Sequence, residues 1–352
     1  MKKTSKAKYL LLVLGLIFLV IVLNKLIVDR MQRPVKMVET ESIWQDVEIQ
    51  KAKLTDSSIV TWDNSSIKIY NLQGDLVEEI LGNGYYTNIY FFNNEIGVLD
   101  KQLNVFYLYS SLGDLKEKIE LTGSVYSVIN KEGSFFVHRK DQLQEGRLES
   151  LSKLETRAKE SPLYETERFI INFDIDNSKL YVSEITTENY SYKSVLSIID
   201  GKESSVFDFG NETVLETKVY GKRLLALTNK NLYNIVGNER KKVELKNFKD
   251  YRFEDKKILV LYDNKLVLFN PDLTIDKSVD IGITTSGLLV HDGSYFVWGP
   301  TDIVGFVGEQ RTFTKSFESI VYGVDSNDKG LLVTHKYNTE LYLFELIEEE
   351  KN

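Results

Sequence analysis

A chain of 352 residues that is 42% hydrophobic and 27% charged, with only four prolines, has the composition of a folded protein with a sizeable core, which excludes an intrinsically disordered chain. Its formal charge of −8 is unevenly spread: residues 1–36 carry eight basic side chains and one acidic one, so the remainder stands near −15, a sign that repels phosphate backbones and argues against a nucleic-acid partner. The complete absence of cysteine excludes disulfides, a lipidated cysteine, thiolate zinc sites and a cysteine nucleophile, and it suits a bacterial extracytoplasmic protein.

The first element is apolar. Residues 1–8 form a short basic leader, and the run from Tyr9 to Leu23 contains no charge; Leu26, Ile27 and Val28 extend it to residue 28, about the thickness of a hydrocarbon core. We expect a membrane-spanning helix over 9–28, with Leu10, Leu14, Phe18 and Val22 among its lipid-facing anchors and Lys25 snorkelling to the interface. A cleaved signal peptide is the rival reading, but the boundary Asn24-Lys25-Leu26-Ile27-Val28-Asp29-Arg30 offers the peptidase no pair of small residues. Positive charges flank the run on both sides. A short basic leader ahead of a first helix stays in the cytoplasm, so the sequence places the N-terminus inside and the large domain outside a bacterial cell membrane. Acceptor-like sequons at Asn64, Asn189 and Asn211 keep a eukaryotic origin open.

After a linker over 29–40, one unit recurs through residues 41–347, ahead of an acidic tail at 348–352. It comprises an apolar strand, a polar turn, a second apolar strand, another turn, and a third strand with alternating hydrophobics. Second strands are expected to begin near Ile59, Ile96, Phe135, Leu180, Leu224, Ile258, Tyr295 and Leu331, spacings of 34 to 45 residues. That period fits four-stranded propeller blades. The clearest pair sets Ile67-Lys68-Ile69-Tyr70 before Gly74-Asp75 against Phe106-Tyr107-Leu108-Tyr109 before Gly113-Asp114. Related third strands fall at 232–236, 266–269 and 341–344, and charged fourth strands at 76–80, 115–119, 241–245 and 275–281. The count gives an all-β propeller of eight blades, with seven as the alternative. The last blade lacks a fourth strand, and the stretch 41–46 is expected to supply it and close the ring. In the third blade, Leu148, Leu151 and Leu154 have helical spacing, but the phase of the repeat predicts strand.

With a basic leader, one apolar helix and degenerate blades, the chain resembles the bacterial membrane-anchored β-propellers of the quinoprotein-like and WD40-like superfamilies. The resemblance covers nearly the whole chain and rests on architecture. There is no Gly-His to Trp-Asp signature, no tryptophan docking motif and no vicinal cysteine pair of the quinoprotein dehydrogenases, so it implies the fold and no cofactor.

Candidate chemistry is sparse. The three histidines, His138, His291 and His335, have no metal-ligand spacing, and His291 ends a first strand and so should lie at the opposite face from the other two. Trp62, His138, Tyr262, Trp298 and His335 share one place in the repeat, the end of a second strand; they form either an aromatic rim for a peptide or a sugar, or packing between blades. Asp174-Ile175-Asp176-Asn177 and Asp325-Ser326-Asn327-Asp328 read as turns, since Lys336 stands where a calcium loop needs glutamate. No phosphate loop, dinucleotide fingerprint or Gly-x-Ser-x-Gly elbow occurs. The function expected is a non-enzymatic, membrane-anchored binding or scaffold module for an envelope protein, peptide or polysaccharide, without cofactor or metal. The alternative is a carbohydrate hydrolase or lyase with two carboxylates about 5 to 10 Å apart in the propeller funnel.

Overall fold

The computed structural model describes residues 35–346, apart from turn positions at 83, 85–86, 93, 132, 144–145, 157–158, 177, 189–190, 238 and 292. The leader, the apolar run over 9–28 and the acidic tail lie outside the described residues. What is described forms eight four-stranded antiparallel sheets, and none of it is α-helical. Seven sheets are meanders of consecutive strands, over residues 51–81, 87–120, 125–166, 169–210, 214–244, 250–280 and 287–316. The eighth takes Gly323–Ser326, Gly330–Thr334 and Asn338–Leu346 from the C-terminal end and adds Val35–Trp44 from the N-terminal end as its outer strand. Eight blades are therefore present, closed by an N-terminal strand.

Blades bury both faces, which explains why their second strands carry consecutive apolar residues instead of alternating ones. In Ile258–Tyr262 of the sixth blade, Ile258 and Val260 pack among Leu225, Leu227 and Leu232 of the fifth, while Leu259 and Leu261 pack among Leu288, Val297 and Val304 of the seventh. The same logic places strands in the third blade. Leu151 and Leu154 are three apart, so on a strand they face opposite ways: Leu151 meets Phe173 and Val182 of the fourth blade, Leu154 meets Leu99 and Phe106 of the second. Fourth strands are outermost and mostly exposed, as the run Leu76–Leu81 illustrates.

The recurrent turn has one geometry. In Asn71 to Asp75, Gly74 takes φ 85°, its N–H donating to Asn71 O at 3.1 Å while Asn71 N–H donates to Asp75 O at 2.9 Å. Ser110 to Asp114 repeats both bonds with Gly113 at φ 96°. Positive φ suits glycine, yet Leu273 occupies the same place in Asn270 to Thr274 at φ 67°.

The closing strand runs from Val35, opposite Leu346, to Trp44, opposite Asn338, with a register shift between Glu39 and Glu41. It begins earlier than the expected stretch 41–46, because backbone pairing to Asn338–Leu346 needs no apolar alternation from Lys36, Glu39 and Glu41. Ile43 locks it against Leu54, Ile59 and Tyr70 of the first blade and Leu332 and Leu341 of the eighth.

Candidate functional site on one face of the ring

Antiparallel meanders give the ring two unlike faces. The upper face gathers the starts of first and third strands with the ends of second and fourth strands; the lower face gathers the other ends. Trp62, Tyr262 and Trp298 end second strands at the upper face and His335 directly follows one, but His138 lies inside Ser134–Leu143, because Arg139 to Leu143 continue the pairing past it. They lie beneath the surface. Trp62 is 4% exposed, against Ile67, Ile69, Ile89 and Ile96 between the first two blades. His335 is buried, its Nδ1 2.9 Å from Ile320 O and its ring against Phe317, and His138 is buried with Nε2 3.0 Å from a Glu149 oxygen. Tyr262 is half-buried and stacks on Phe269, and Trp298 packs on the core between the seventh and eighth blades. The five therefore act in blade packing and do not themselves form an open rim. His291 lies at the lower face, 3.4 Å from Asp328. Asp325, like Asp174, lies on a first strand and not in the turn after it, and it is held there by Lys53 Nζ at 2.8 Å and the Leu54 N–H at 2.7 Å.

A different aromatic set is exposed at the upper face. Trp44, Tyr126, Phe169, Tyr192, Tyr322 and Tyr337 are the exposed aromatics among the described residues, and every one lies at that face. Exposed large hydrophobic side chains of the lower face are aliphatic: Leu76, Val77, Leu112, Leu115, Val236 and Ile275. The sequence signal for the upper set is faint. Tyr126 follows buried Val125 at a strand start, where the alternation calls for a polar residue.

Two clusters organise this face. At the seam between the eighth and first blades, three loops are tied by backbone bonds of 2.8 Å, from Gln45 N to Tyr337 O, Ile49 N to Lys336 O and Tyr322 N to Thr334 O. They bring Trp44, Val47, Ile320, Tyr322 and Tyr337 together as exposed neighbours, with Trp44 73% exposed. Beside them a hollow of about 350 Å³ opens at the channel mouth, lined by Glu48, Gln50, Lys51, Phe91, Tyr322 and Asp325 among others.

The second cluster combines rings with cations. Lys140 Nζ lies 3.6 Å and Lys101 Nζ 5.2 Å from the centre of the Tyr126 ring, and Arg147 Cζ lies 3.5 Å from the centre of Phe169. Glu149, fully buried, holds the group together. Its carboxylate accepts from the Ile170 N–H at 2.7 Å and lies 2.8 Å from Arg147 Nη2 and 3.8 Å from Lys140 Nζ, besides His138. Burial pushes the His138 imidazole below its ordinary range, outweighing the Glu149 carboxylate. Burial, with Lys140 beside it, likewise lowers Lys101.

Polar first strands line the centre. Glu216 accepts from Asn172 Nδ2 at 3.0 Å and Tyr251 OH at 3.1 Å and lies 3.5 Å from Lys131 Nζ, joining four blades through one carboxylate. Burial and Glu216 raise the Tyr251 phenol, and burial raises the Asp174 carboxyl against the pull of Lys131 and Lys218. No group of three or more His, Cys, Asp or Glu side chains suited to a metal ion occurs among the described residues.

No protein-family model matches the chain, and no curated protein matches it in sequence. Solved structures do. The chain is similar to the crystal structure of BamB from Moraxella catarrhalis, with TM-score 0.55 and 9% identity over 90% of this chain and 100% of that one. It is similar to quinohemoprotein alcohol dehydrogenase from Comamonas testosteroni, with TM-score 0.58 and 8% identity over 90% of this chain and 77% of that one. Apo AztD from Citrobacter koseri gives TM-score 0.50 and 9% identity, covering 84% and 89%. At such identities the likeness establishes the fold alone, a β-propeller.

Proposed function

We propose that the protein is a membrane-anchored, extracytoplasmic scaffold whose propeller docks an envelope protein on its upper face. The observation that carries this reading is the confinement of every exposed aromatic among the described residues to that face. Tyrosine and tryptophan supply large contact area at low entropic cost and dominate interface energetics. The anchor is the apolar run over 9–28, with its basic leader in the cytoplasm. The ring's closing strand begins at the lower face with Val35, six residues beyond that run. Six extended residues span about 20 Å, so on this reading the lower face stays near the bilayer and the aromatic face points outward.

Because the chain has no cysteine, single substitutions give clean reporters. Cysteine placed at Leu103 on the upper face should react with a membrane-impermeant maleimide in intact cells; protection until lysis would reverse the orientation. Photo-cross-linkers at Trp44 and Tyr337 should yield one discrete adduct that a linker at Leu112, on the lower face, does not give. Equal adducts from both faces would end the docking assignment.

A second reading, a carbohydrate hydrolase, draws support from Asp174, whose raised carboxyl suits a general acid. Its neighbour Glu216 is engaged by two hydrogen-bond donors and a lysine, which counts against that carboxylate as the nucleophile or base. Asp174→Asn abolishing release of reducing sugar from envelope polysaccharide would favour that reading over the scaffold.

A further inference from the structure

The lower face carries a groove of about 360 Å³ on the fifth blade, lined by Tyr220, Lys222, Arg223, Asn234, Glu239 and Lys241, with Val236 at its edge. Its volume is at the small end of ligand pockets. Three cations meet there in a domain that is otherwise strongly acidic, and none of Lys222, Arg223 and Lys241 has an ion-pair partner among the described residues. Asp272 on the next blade faces Arg223 without forming an ion pair with it and accepts from the N–H and hydroxyl of Thr274. A second observation is independent of charge. Asn234 is 3% exposed, and its Nδ2 donates to Pro271 O at 2.9 Å, but its Oδ1 is buried without a donor. A buried acceptor left unpaired costs about 1–3 kcal/mol, so a donor from a bound group has work to do there.

We propose that this groove binds a phosphate ester carrying a free hydroxyl, the chemistry of glycerol phosphate either in solution or as a lipid headgroup. Three cations set against the carboxylates of Glu239 and Asp272 leave a positive surplus, which suits a phosphate ester, about −1 as a lipid's diester and roughly −1.5 to −2 as a free monoester. The Arg223 guanidinium offers parallel N–H groups to two phosphate oxygens, and the two lysines add point charges. A hydroxyl supplies the donor that Asn234 Oδ1 lacks, and Glu239 accepts a second one. Nothing in this assignment depends on the aromatic face, which lies on the other side of the ring.

The test is calorimetric titration of the full-length chain in detergent with sn-glycerol 3-phosphate, inorganic phosphate, and short-chain phosphatidylglycerol below its micellar concentration. Saturable binding of one of the two esters is expected. Preference for the free ester identifies a soluble source, and preference for the lipid a headgroup. Lys222→Gln with Lys241→Gln, both exposed and neutral for folding, should weaken binding at least tenfold, and Arg223→Gln should do the same. Lys202→Gln, on the same face outside the groove, should leave binding unchanged. Absence of saturable binding to either ester, or equal weakening by Lys202→Gln, overturns the site. Inorganic phosphate binding as tightly as the ester overturns the role given to Asn234.

Discussion

Ile43 and Trp44 are adjacent on the closing strand, yet their side chains point to opposite sides of it, so the pair separates ring closure from docking. Ile43 is 5% exposed among Leu54, Ile59, Tyr70, Leu332 and Leu341. Ile43→Ala removes buried methyl groups and leaves a cavity between the first and last blades, at a cost of about 3 kcal/mol. With an unfolding entropy of about 2.1 cal/mol/K per residue over roughly 310 residues, that lowers the melting temperature by about 5 °C. Trp44→Ala deletes a side chain that is 73% exposed and should change stability by no more than about 0.5 kcal/mol. Thermal unfolding of the two variants, followed by circular dichroism in one detergent, reads both effects. Partner cross-linking should show the opposite order, intact for Ile43→Ala below its melting point and lost for Trp44→Ala. Equal destabilisation by both substitutions would mean that the strand does not close the ring in the register described.

Glu149→Gln should destabilise the third and fourth blades by about 3 kcal/mol, since it leaves Arg147 with a neutral amide at a fully buried position; denaturant midpoints would report it. The native His138 imidazole should titrate below 6.5 by NMR, because burial disfavours its cation. Between that lower value and 6.5 the unfolded chain binds more protons than the native one, so stability should rise with pH across this window and fall on acidification; a native value above 6.5 would contradict the burial argument. Gly113→Ala forces a side chain into φ 96° and should cost about 1–2 kcal/mol in the same unfolding assay.

The repeat was legible because its turns recur. Second strands begin at Ser58, Glu95, Ser134, Lys179, Arg223, Ile258, Ser294 and Gly330, each within one residue of the starts expected from hydrophobic phase, and the Gly-Asp turns after the third strands share one hydrogen-bond pattern. Leu273 shows the limit of such reading, since a β-turn position with positive φ holds a side chain that the turn chemistry alone would not admit. The site was legible only as to face. Phase located the upper ends of the second strands, but phase carries no information on how deeply a neighbouring blade covers them. His138 and His335 are buried, whereas Tyr126, on the strand beside His138, and Tyr337, two residues beyond His335, are exposed.

The contrast between the two faces also decides which apolar exposure calls for a partner. On the lower face Leu115 and Ile275 open outer strands, each followed by a charge, Lys116 and Asp276, and each on a strand whose charged side chains discourage edge pairing. Apolar side chains interspersed with charges in this way are ordinary surface. At the seam, Trp44, Val47, Ile320, Tyr322 and Tyr337 come from three chain segments, and backbone bonds hold those segments side by side around a hollow. Closing a ring requires only the pairing of Val35–Trp44 with Asn338–Leu346 and the burial of Ile43; it does not require Trp44 to project outward or three further loops to add apolar side chains around it. Closure thus accounts for the strand and leaves the patch unexplained, which is what the proposed docking of a partner would account for.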